Sequence, residues 1–433
     1  MITICICEPV PLTCPPKELA IITFGELLLE RRRMEFRKLA VLIGITSVTS
    51  AGIAAPMPSM EEMWEIIQQQ QQQITSLQQQ LGQQNQQLEE TQVQIAATAD
   101  ALDTVSSGTT QLASWAERTQ IGGYAEHHYN HQEDGDDQVD AHRWVLFFGH
   151  QFSDNLRMFS EFELEHSLAG EGEPGEVELE QAYIEYDFAD NHSVQIGQFL
   201  VPVGILNETH EPDTFFGVER NKVEAEIIPS TWWETGVMVR GEITEGLSYN
   251  AAVHSGLSVP DTFRIRSGRQ KSAEANAEDL AFTGRIKYTG IPGLELATTY
   301  QHQQDITQGD SAFSEGASAD LWEAHAIYQT ERFGLRALYA DWDIDSDEAE
   351  MLNVDNLDGW YVEPSFKLNE KLGVFVRYSE YERADKIDTE FEAWDYGVNY
   401  WIHPRVVLKA DYTDTVGDGD EADALNLGVG WSF

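Results

Sequence analysis

The final stretch of the chain, DALNLGVGWSF from Asp423 to Phe433, alternates without a break. Leu425, Leu427, Val429, Trp431 and Phe433 fall on one face of a strand, and Asn426, Gly428, Gly430 and Ser432 on the other. Successive side chains of a strand point to opposite faces, so one face here is apolar and the other small and polar. Such a strand fits a sheet with lipid on one side and water on the other. That requirement constrains the fold more than any other feature. The expected fold is all-β, a transmembrane antiparallel barrel closed by this strand and preceded by a coiled-coil helix.

The same period of two runs back to Thr119. About sixteen candidate strands follow from the hairpin rules. They centre on 119–131, 141–153, 156–168, 177–188, 192–200, 232–242, 247–255, 279–289, 294–304, 320–330, 334–344, 358–368, 372–383, 391–402, 405–415 and 424–433. Short connections such as Ser153-Asp154-Asn155, Thr244-Glu245-Gly246 and Ile291-Pro292-Gly293 alternate with long ones at 131–140, 169–176, 201–231, 256–278, 305–319, 345–357, 384–390 and 416–423. Short and long turns in alternation on an even strand count mark an outer-membrane barrel. A soluble sandwich needs no such regularity, and its strands are shorter. In 391–402, Trp394, Tyr396, Val398, Tyr400 and Ile402 can face lipid while Asp395, Gly397 and Asn399 face the lumen. Two strands resist this assignment. Both faces of 141–153 are apolar, and 334–344 reads either way, which places both at a subunit contact as readily as against lipid.

Composition narrows the class. The chain has 433 residues and a formal net charge of -47, with a mean hydropathy of -0.37. No stretch of the mature part reaches the roughly 18 apolar residues of a transmembrane helix. Alternating strands average to a hydrophilic hydropathy, so the barrel stands. The acidity argues against nucleic acid, whose phosphates need Lys and Arg. It reads either as adaptation of an exposed surface or as a cation-attracting pore.

Three pieces precede the first strand. Residues 1–33 hold Cys5, Cys7 and Cys14 and read as an upstream extension. Residues 34–54 read as a secretory signal: Met34, the basic Arg37 and Lys38, an apolar run from Leu39 to Ile53, and small residues at Gly52 and Ala54. A cut after Ala54 leaves a mature chain without cysteine. Residues 55–112 read as a stalk. Met60, Ile67, Ile74, Leu81, Leu88, Ile95 and Leu102 recur every seven residues, with a mixed second seam at Met63, Gln70, Leu77, Gln84, Thr91, Thr98 and Val105. This is a coiled-coil pattern, and the Gln run from Gln68 to Gln73 inside it leaves a disordered polar tract as the alternative. Ser106 to Thr110 breaks the pattern and reads as a hinge.

The longest well-placed loop, Val201 to Thr231, carries Glu208, His210, Glu211, Asp213, Glu219, Arg220, Lys222 and Glu224. Candidate lumenal bases are Arg157, Arg240, Arg285, Lys287, Lys367, Arg377 and Lys409, and candidate lumenal acids include Glu161, Glu163, Glu165, Glu185, Glu234, Glu295, Glu323, Asp395 and Asp411. The order of signal, Gln-rich coiled coil, GGY first strand, GQFLVPVG, GVERNKVEAEIIPSTWWETGVMVRG and terminal GWSF resembles the phosphate-selective porin O and P family. The resemblance covers about Thr119 to Phe433. It implies a homotrimer of sixteen-stranded barrels in the outer membrane of a Gram-negative bacterium, with the coiled coil in the periplasm. It also implies that the third long loop folds into the barrel, where its mixed charges form a constriction that filters ions by rings of side chains. A solvated surface loop is the alternative. Anion-selective members use a ladder of arginines and a cluster of lysines. Here the bases share the lumen with many acids, so two readings stand: the resemblance implies anions, phosphate among them, and the charge balance favours cations, and no individual phosphate ligand is carried over.

Other features are weighed against this reading. HHYNH holds His127, His128 and His131, but neighbours on a strand face opposite ways and no spacing matches a zinc site. No metal and no cofactor are expected. RIRSGRQK, Arg264 to Lys271, is a basic island that could meet lipopolysaccharide phosphates, draw anions to the mouth, latch a neighbouring subunit or pair with nearby acids. The acidic tips Glu133, Asp134, Asp136 and Asp137, and Asp418, Asp420 and Glu421, suit a saline exterior or divalent bridging between surface lipids. There is no Gly-x-Ser-x-Gly, no phosphate loop and no His-Glu-x-x-His, so no enzyme is expected. The expected function is passive diffusion of ions and small hydrophilic solutes through a water-filled lumen. The alternative is a structural tether that links the membrane to the cell wall through its coiled coil.

Overall fold

A computed structural model describes residues 59–133, 135–382, 390–417 and 423–433. The expected extension and signal (1–33, 34–54) and the tips Asp134, Asp418, Asp420 and Glu421 lie outside the described residues. The chain divides into two compact units, meeting in sequence at Asp100 and Ala101.

Helix α1 covers Met60–Glu117. Its start is a capping box: the Glu62 amide donates to Ser59 Oγ (3.2 Å) while the Ser59 amide donates to the Glu62 carboxylate (2.8 Å). Ile67, Ile74, Leu81, Leu88 and Ile95 are all exposed along it. The expected hinge at Ser106–Thr110 is not a break, because α1 runs through it. Helix formers flank this segment, and a nucleated helix crosses Ser, Gly and Thr at about 0.5–1 kcal/mol each. No described helix is long and apolar enough to cross a membrane.

From Thr119 the chain builds strands β1 (Thr119–Gln132), β2 (Gln138–Ser153), β3 (Leu156–Glu165), β4 (Val177–Ala189), β5 (His192–Leu200), β6 (Trp233–Thr244), β7 (Leu247–His254) and β8 (Ala281–Ile291). They continue as β9 (Leu294–Gln303), β10 (Ser318–Gln329), β11 (Phe333–Asp345), β12 (Asn356–Lys367), β13 (Leu372–Glu382), β14 (Glu390–His403), β15 (Val406–Gly417) and β16 (Ala424–Ser432). A short helix α2 (Asp347–Leu352) sits between β11 and β12. Each strand pairs antiparallel with the next, and β16 pairs with β1, which closes the barrel. Closure extends to the chain end, where the Phe433 amide donates to the Gly123 carbonyl (2.9 Å) and the Gly123 amide returns a bond to Phe433 (3.2 Å). A closed barrel leaves no strand edge unpaired, which is the condition for β-structure in lipid.

The register decides the two faces. Ile184, Ile196, Phe282, Trp322, Tyr396 and Leu408 point outward and are exposed. Gln195, Asn250, Thr299, Glu323, Glu363 and Asn426 point inward and are buried. The two ambiguous strands resolve inside the barrel. On β2 the inward Phe147 joins a row of rings with Tyr124 (5.7 Å) and Phe159 (5.8 Å), which continues to Tyr183. On β11 the inward Leu338, Ala340, Trp342 and Ile344 are buried in one cluster with Val203, Val223, Ile227 and Trp232 of the 201–232 segment. Their second apolar face therefore packs on protein inside the barrel, and no subunit contact is needed to explain it.

Candidate functional site

Loop 201–231 leaves β5, enters the barrel and returns to β6. Asn207 closes its neck: its side chain donates to the carbonyls of Val201 (2.7 Å) and Trp232 (3.0 Å) and accepts from the Trp232 amide (2.6 Å). Buried Glu224 is the second fixed point. It accepts from the Ile205 amide (2.8 Å), the Leu206 amide and the Tyr361 hydroxyl of β12 (2.6 Å). Gly204 makes this approach possible, because its φ is +70° and an added Cβ would lie 3.0 Å from the Glu224 carboxylate. A single π-helical turn, Val223–Ile227, follows. Trp342 Nε1 of β11 donates to the Ile227 carbonyl (2.8 Å).

The loop reaches the opposite wall. The Val218 amide donates to Asp411 (2.6 Å), Asn399 donates to the Phe215 carbonyl (3.0 Å), and Ser432 donates to Asp213 (2.9 Å). The small residues of the terminal strand now have a reason. A Cβ at Gly430 would meet Pro212 at 2.3 Å, and one at Gly428 would meet Val218 at 3.1 Å. The inner face of β16 is small because the loop lies on it, and not only because water would.

Each charged loop residue has a definite place. Glu208 pairs with Arg285, whose Nη2 is 3.2 Å from Oε1. The His210 carbonyl accepts from Arg143 (2.7 Å), and its ring Nε2 lies 3.4 Å from Glu180 and 3.8 Å from Glu161. The Glu211 carbonyl accepts from the Thr214 amide (2.9 Å). Glu219 meets His128 (3.0 Å) and accepts from Asn130 (2.9 Å). Arg220 is half-buried and Lys222 is exposed.

The seven candidate bases all lie on inward positions of the register, but they do not all line open water. Arg285, Arg377 and Lys409 are buried, as are Glu161, Glu163, Glu234, Glu323, Asp395 and Asp411. The expectation of a wholly watery face is corrected here: the infolded loop covers much of it, and several of these groups hold the loop. Arg377 binds Glu363 (3.1 Å) and Asp395 (2.9 Å). Lys409 lies 3.5 Å from the Phe215 ring centre, and Lys367 lies 5.3 Å from the ring centre of Trp401. Glu234 accepts from Trp232 Nε1 (3.1 Å), and Glu323 meets His325 (2.6 Å). The partly exposed Arg157, Arg240 and Lys287 gather on one wall, β3 to β8, beside the buried Arg285. There a cavity of about 580 Å³ is lined by Arg157, Arg240, Arg285 and Lys287 beside Glu185, Asp187, Glu208 and Glu242. Arg157 binds Glu185 (2.9 Å) and Asp187 (2.7 Å), Arg240 binds Glu185 (3.0 Å), and Lys287 is 3.7 Å from Glu295.

The loop's carboxylates respond to these partners. Burial alone would push Glu208 up, but the Arg285 guanidinium brings it below the usual range. Burial likewise opposes the charge on Glu219, and the hydrogen bond and charge of His128 outweigh it, bringing Glu219 down to about 2. A lowered carboxylate stabilises the fold above its ordinary value of 4.5, and that contribution is lost as pH falls through about 2. We expect the loop's attachment to β1 to hold from pH 7 to about 4.5 and to weaken progressively toward about 2. Single-channel current noise recorded across that range checks this, and Glu219→Gln should flatten the response.

The basic island points back into its own chain. Arg266 donates to the carbonyls of Ala225 (2.6 Å) and Ser230 (2.7 Å), and Arg269 donates to Thr231 (2.6 Å). Arg264 binds Glu226 (2.8 Å), and Lys271 binds Glu176 (2.9 Å). Its arginines therefore clamp the returning segment of the loop, Ala225 to Thr231. In HHYNH the rings part as expected: His127 stacks on Trp431 (5.6 Å), while His128 turns inward and stacks on His142 (4.4 Å).

Sequence reasoning missed Glu126, Arg143 and Glu180. Arg143 donates to Glu126 at 2.5 Å across β1 and β2. Alternation already placed Glu126 on the face of Tyr124 and His128, so that signal was available. Glu180 lies beside a β-bulge opposite Glu161 and Phe162, and a bulge shifts face assignment in a way that period two does not reveal.

Comparison with known proteins agrees with this geometry. The profile of the family described as phosphate-selective porin O and P matches residues 121–425. An uncharacterised protein of Aquifex aeolicus (strain VF5) is 30% identical over 359 residues, 72% of this chain and 79% of that protein. Among solved structures, Salmonella typhi OmpF in complex with daunomycin is similar with a TM-score of 0.53 and 15% identity, over 73% of this chain and 97% of that one. The anion-selective porin of Comamonas acidovorans gives 0.52 and 12%, over 73% and 99%. With a closed barrel of sixteen antiparallel strands, a lipid-compatible exterior and a polar interior, the chain belongs to the phosphate-selective porin O and P family and is an outer-membrane porin, a channel for passive diffusion of ions and small hydrophilic solutes.

Proposed function

We propose that this porin prefers cations and that loop 201–231 forms the constriction that filters solutes by size and charge. One observation carries the reading. Arg143, Arg157, Arg240, Arg285, Lys287 and Arg377 each lie within ion-pair distance of a carboxylate. The chain as a whole carries 74 Asp and Glu against 27 Lys and Arg. A paired base presents little net field to a passing anion, whereas surplus carboxylates leave the lumen negative. The wall of Arg157, Arg240, Arg285 and Lys287 is the place where an anion would be held, and its neighbours Glu185, Asp187 and Glu208 offset it. Phosphate selectivity is therefore not assigned.

The exposed seam of Ile67, Ile74, Leu81, Leu88 and Ile95 supports self-association of α1 as a coiled coil. In this reading the pore is a homotrimer and the stalk lies in the periplasm, behind a signal at 34–54 and an upstream extension at 1–33. The apolar belt is set in outer-membrane lipid, with lipopolysaccharide around the long-loop end. No catalytic role enters.

A reversal potential measured across a potassium chloride gradient tests the selectivity. We expect a cation-signed potential, with potassium favoured several-fold over chloride. An anion-signed potential that added phosphate reduces would overturn the proposal in favour of phosphate uptake. Absence of any conductance would favour the tether.

A further inference from the structure

We propose that a divalent metal ion, with Zn²⁺ the best fit, binds between His210 of the infolded loop, Glu161 of β3 and Glu180 of β4, and pins the loop to that wall. The three side chains offer ligand atoms that all lie within 4.8 Å of one another. His210 Nε2 is 3.4 Å from Glu180 and 3.8 Å from Glu161. Four ligands at about 2.1 Å around a tetrahedral zinc stand about 3.4 Å apart, so this spacing is that of a coordination shell.

The electrostatics point the same way. All three residues are buried. Neither oxygen of Glu180 nor Nε2 of His210 has a hydrogen-bond partner among the described residues, and the same holds for both oxygens of neighbouring Glu163. The other groups facing the cluster compensate its charge only in part. Arg143 gives Nε to Glu126 (2.5 Å) and Nη2 to the His210 carbonyl (2.7 Å), while its Nη1 has no partner among the described residues, and Arg220 also faces Glu163. Gln181 satisfies one oxygen of Glu161 (2.6 Å), and Tyr124 sets its ring edge against His210 (6.0 Å). Three buried carboxylates facing Arg143, whose charge Glu126 already shares, still call for protons or a cation. An imidazole among carboxylates selects a borderline transition ion over Ca²⁺ or Mg²⁺, which take oxygen ligands alone. His210 arrives from the loop and the two glutamates from the wall, so one ion would join what the backbone leaves separate.

The test uses the full-length protein in detergent, stripped with EDTA and dialysed against about 10 µM ZnCl₂, with bound zinc counted by elemental mass spectrometry. We expect about one zinc per chain, with affinity falling at least about tenfold in His210→Gln and in Glu180→Gln. Two competing groups share His142: His128, His142 and Glu219, and Asp140, His142 and His166. His142→Gln should leave the stoichiometry unchanged. X-ray absorption of the zinc-loaded native protein should give one imidazole with oxygen ligands, and this holds even where a variant does not fold. No zinc above background would overturn the proposal in favour of shared protons. Several imidazoles in the spectrum, or loss of zinc in His142→Gln alone, would overturn it in favour of the groups that share His142. Conductance recorded with and without zinc reports separately on whether the loop is the constriction, so that reading can fail while the binding result stands.

Discussion

Replacing residues 208–222 by a short Gly-Ser linker should raise single-channel conductance about threefold. Sixteen strands at about 4.8 Å spacing and about 40° tilt give a barrel about 32 Å across between backbones. A layer of side chains leaves roughly 20 Å of clear width. A folded loop adds about another 10 Å of chain across that opening, and conductance follows the free cross-section. The neck at Asn207 and the turn after Lys222 lie outside the replaced segment, so the strands on either side keep their register. Planar-bilayer recordings check the result. Unchanged conductance would show that the narrowest point lies elsewhere, for instance under the clamp of Arg266 and Arg269. A rise together with a weaker cation preference would place both size and charge filtering on the same loop.

The second large effect concerns what holds the loop. Glu224→Ala should speed hydrogen exchange at the Ile205 and Leu206 amides by about a hundredfold, because about 3 kcal/mol of local protection is lost. Burial pushes the Glu224 carboxyl above its ordinary value, while the Tyr361 hydroxyl and the two amides pull against that. Alanine removes the acceptor for all three donors and leaves them buried. Unsatisfied buried donors cost more than a lost surface bond. Mass spectrometry of peptides spanning 201–210 checks it. Glu224→Gln retains one carbonyl acceptor and should show a smaller increase. The barrel's heat resistance should change little in either variant, because the strand ladders do not pass through Glu224.

The effects differ in kind because the fold has two levels of organisation. Apart from the β16–β1 closure, strand pairing is nearest-neighbour, each strand bonded to the next along the chain. The loop is held by contacts that ignore sequence distance: Glu224 meets Tyr361 across 137 positions, and Val218 meets Asp411 across 193. A mutation in the first kind of contact is shared along a cooperative ladder. One in the second kind acts on a single loop that carries the pore's geometry.

The sequence by itself determined the barrel, its strand count and which residues face out. These follow from local causes: the period of two, the turn residues at the short connections, and the need to turn apolar side chains to lipid. It also determined that β2 and β11 differ from the rest, though not why. Only the tertiary structure decided which inward charges stay open to water and which are sealed under the loop. Arg240 and Arg377 both sit on inward positions, yet one lines the cavity and the other is buried between Glu363 and Asp395. Alternation assigns a face, but it carries no information about what later covers that face. The same limit hid the meeting of His210 with Glu161 and Glu180. Their proximity depends on a loop folding inward and on a bulge in β4, and neither leaves a periodic trace in the chain.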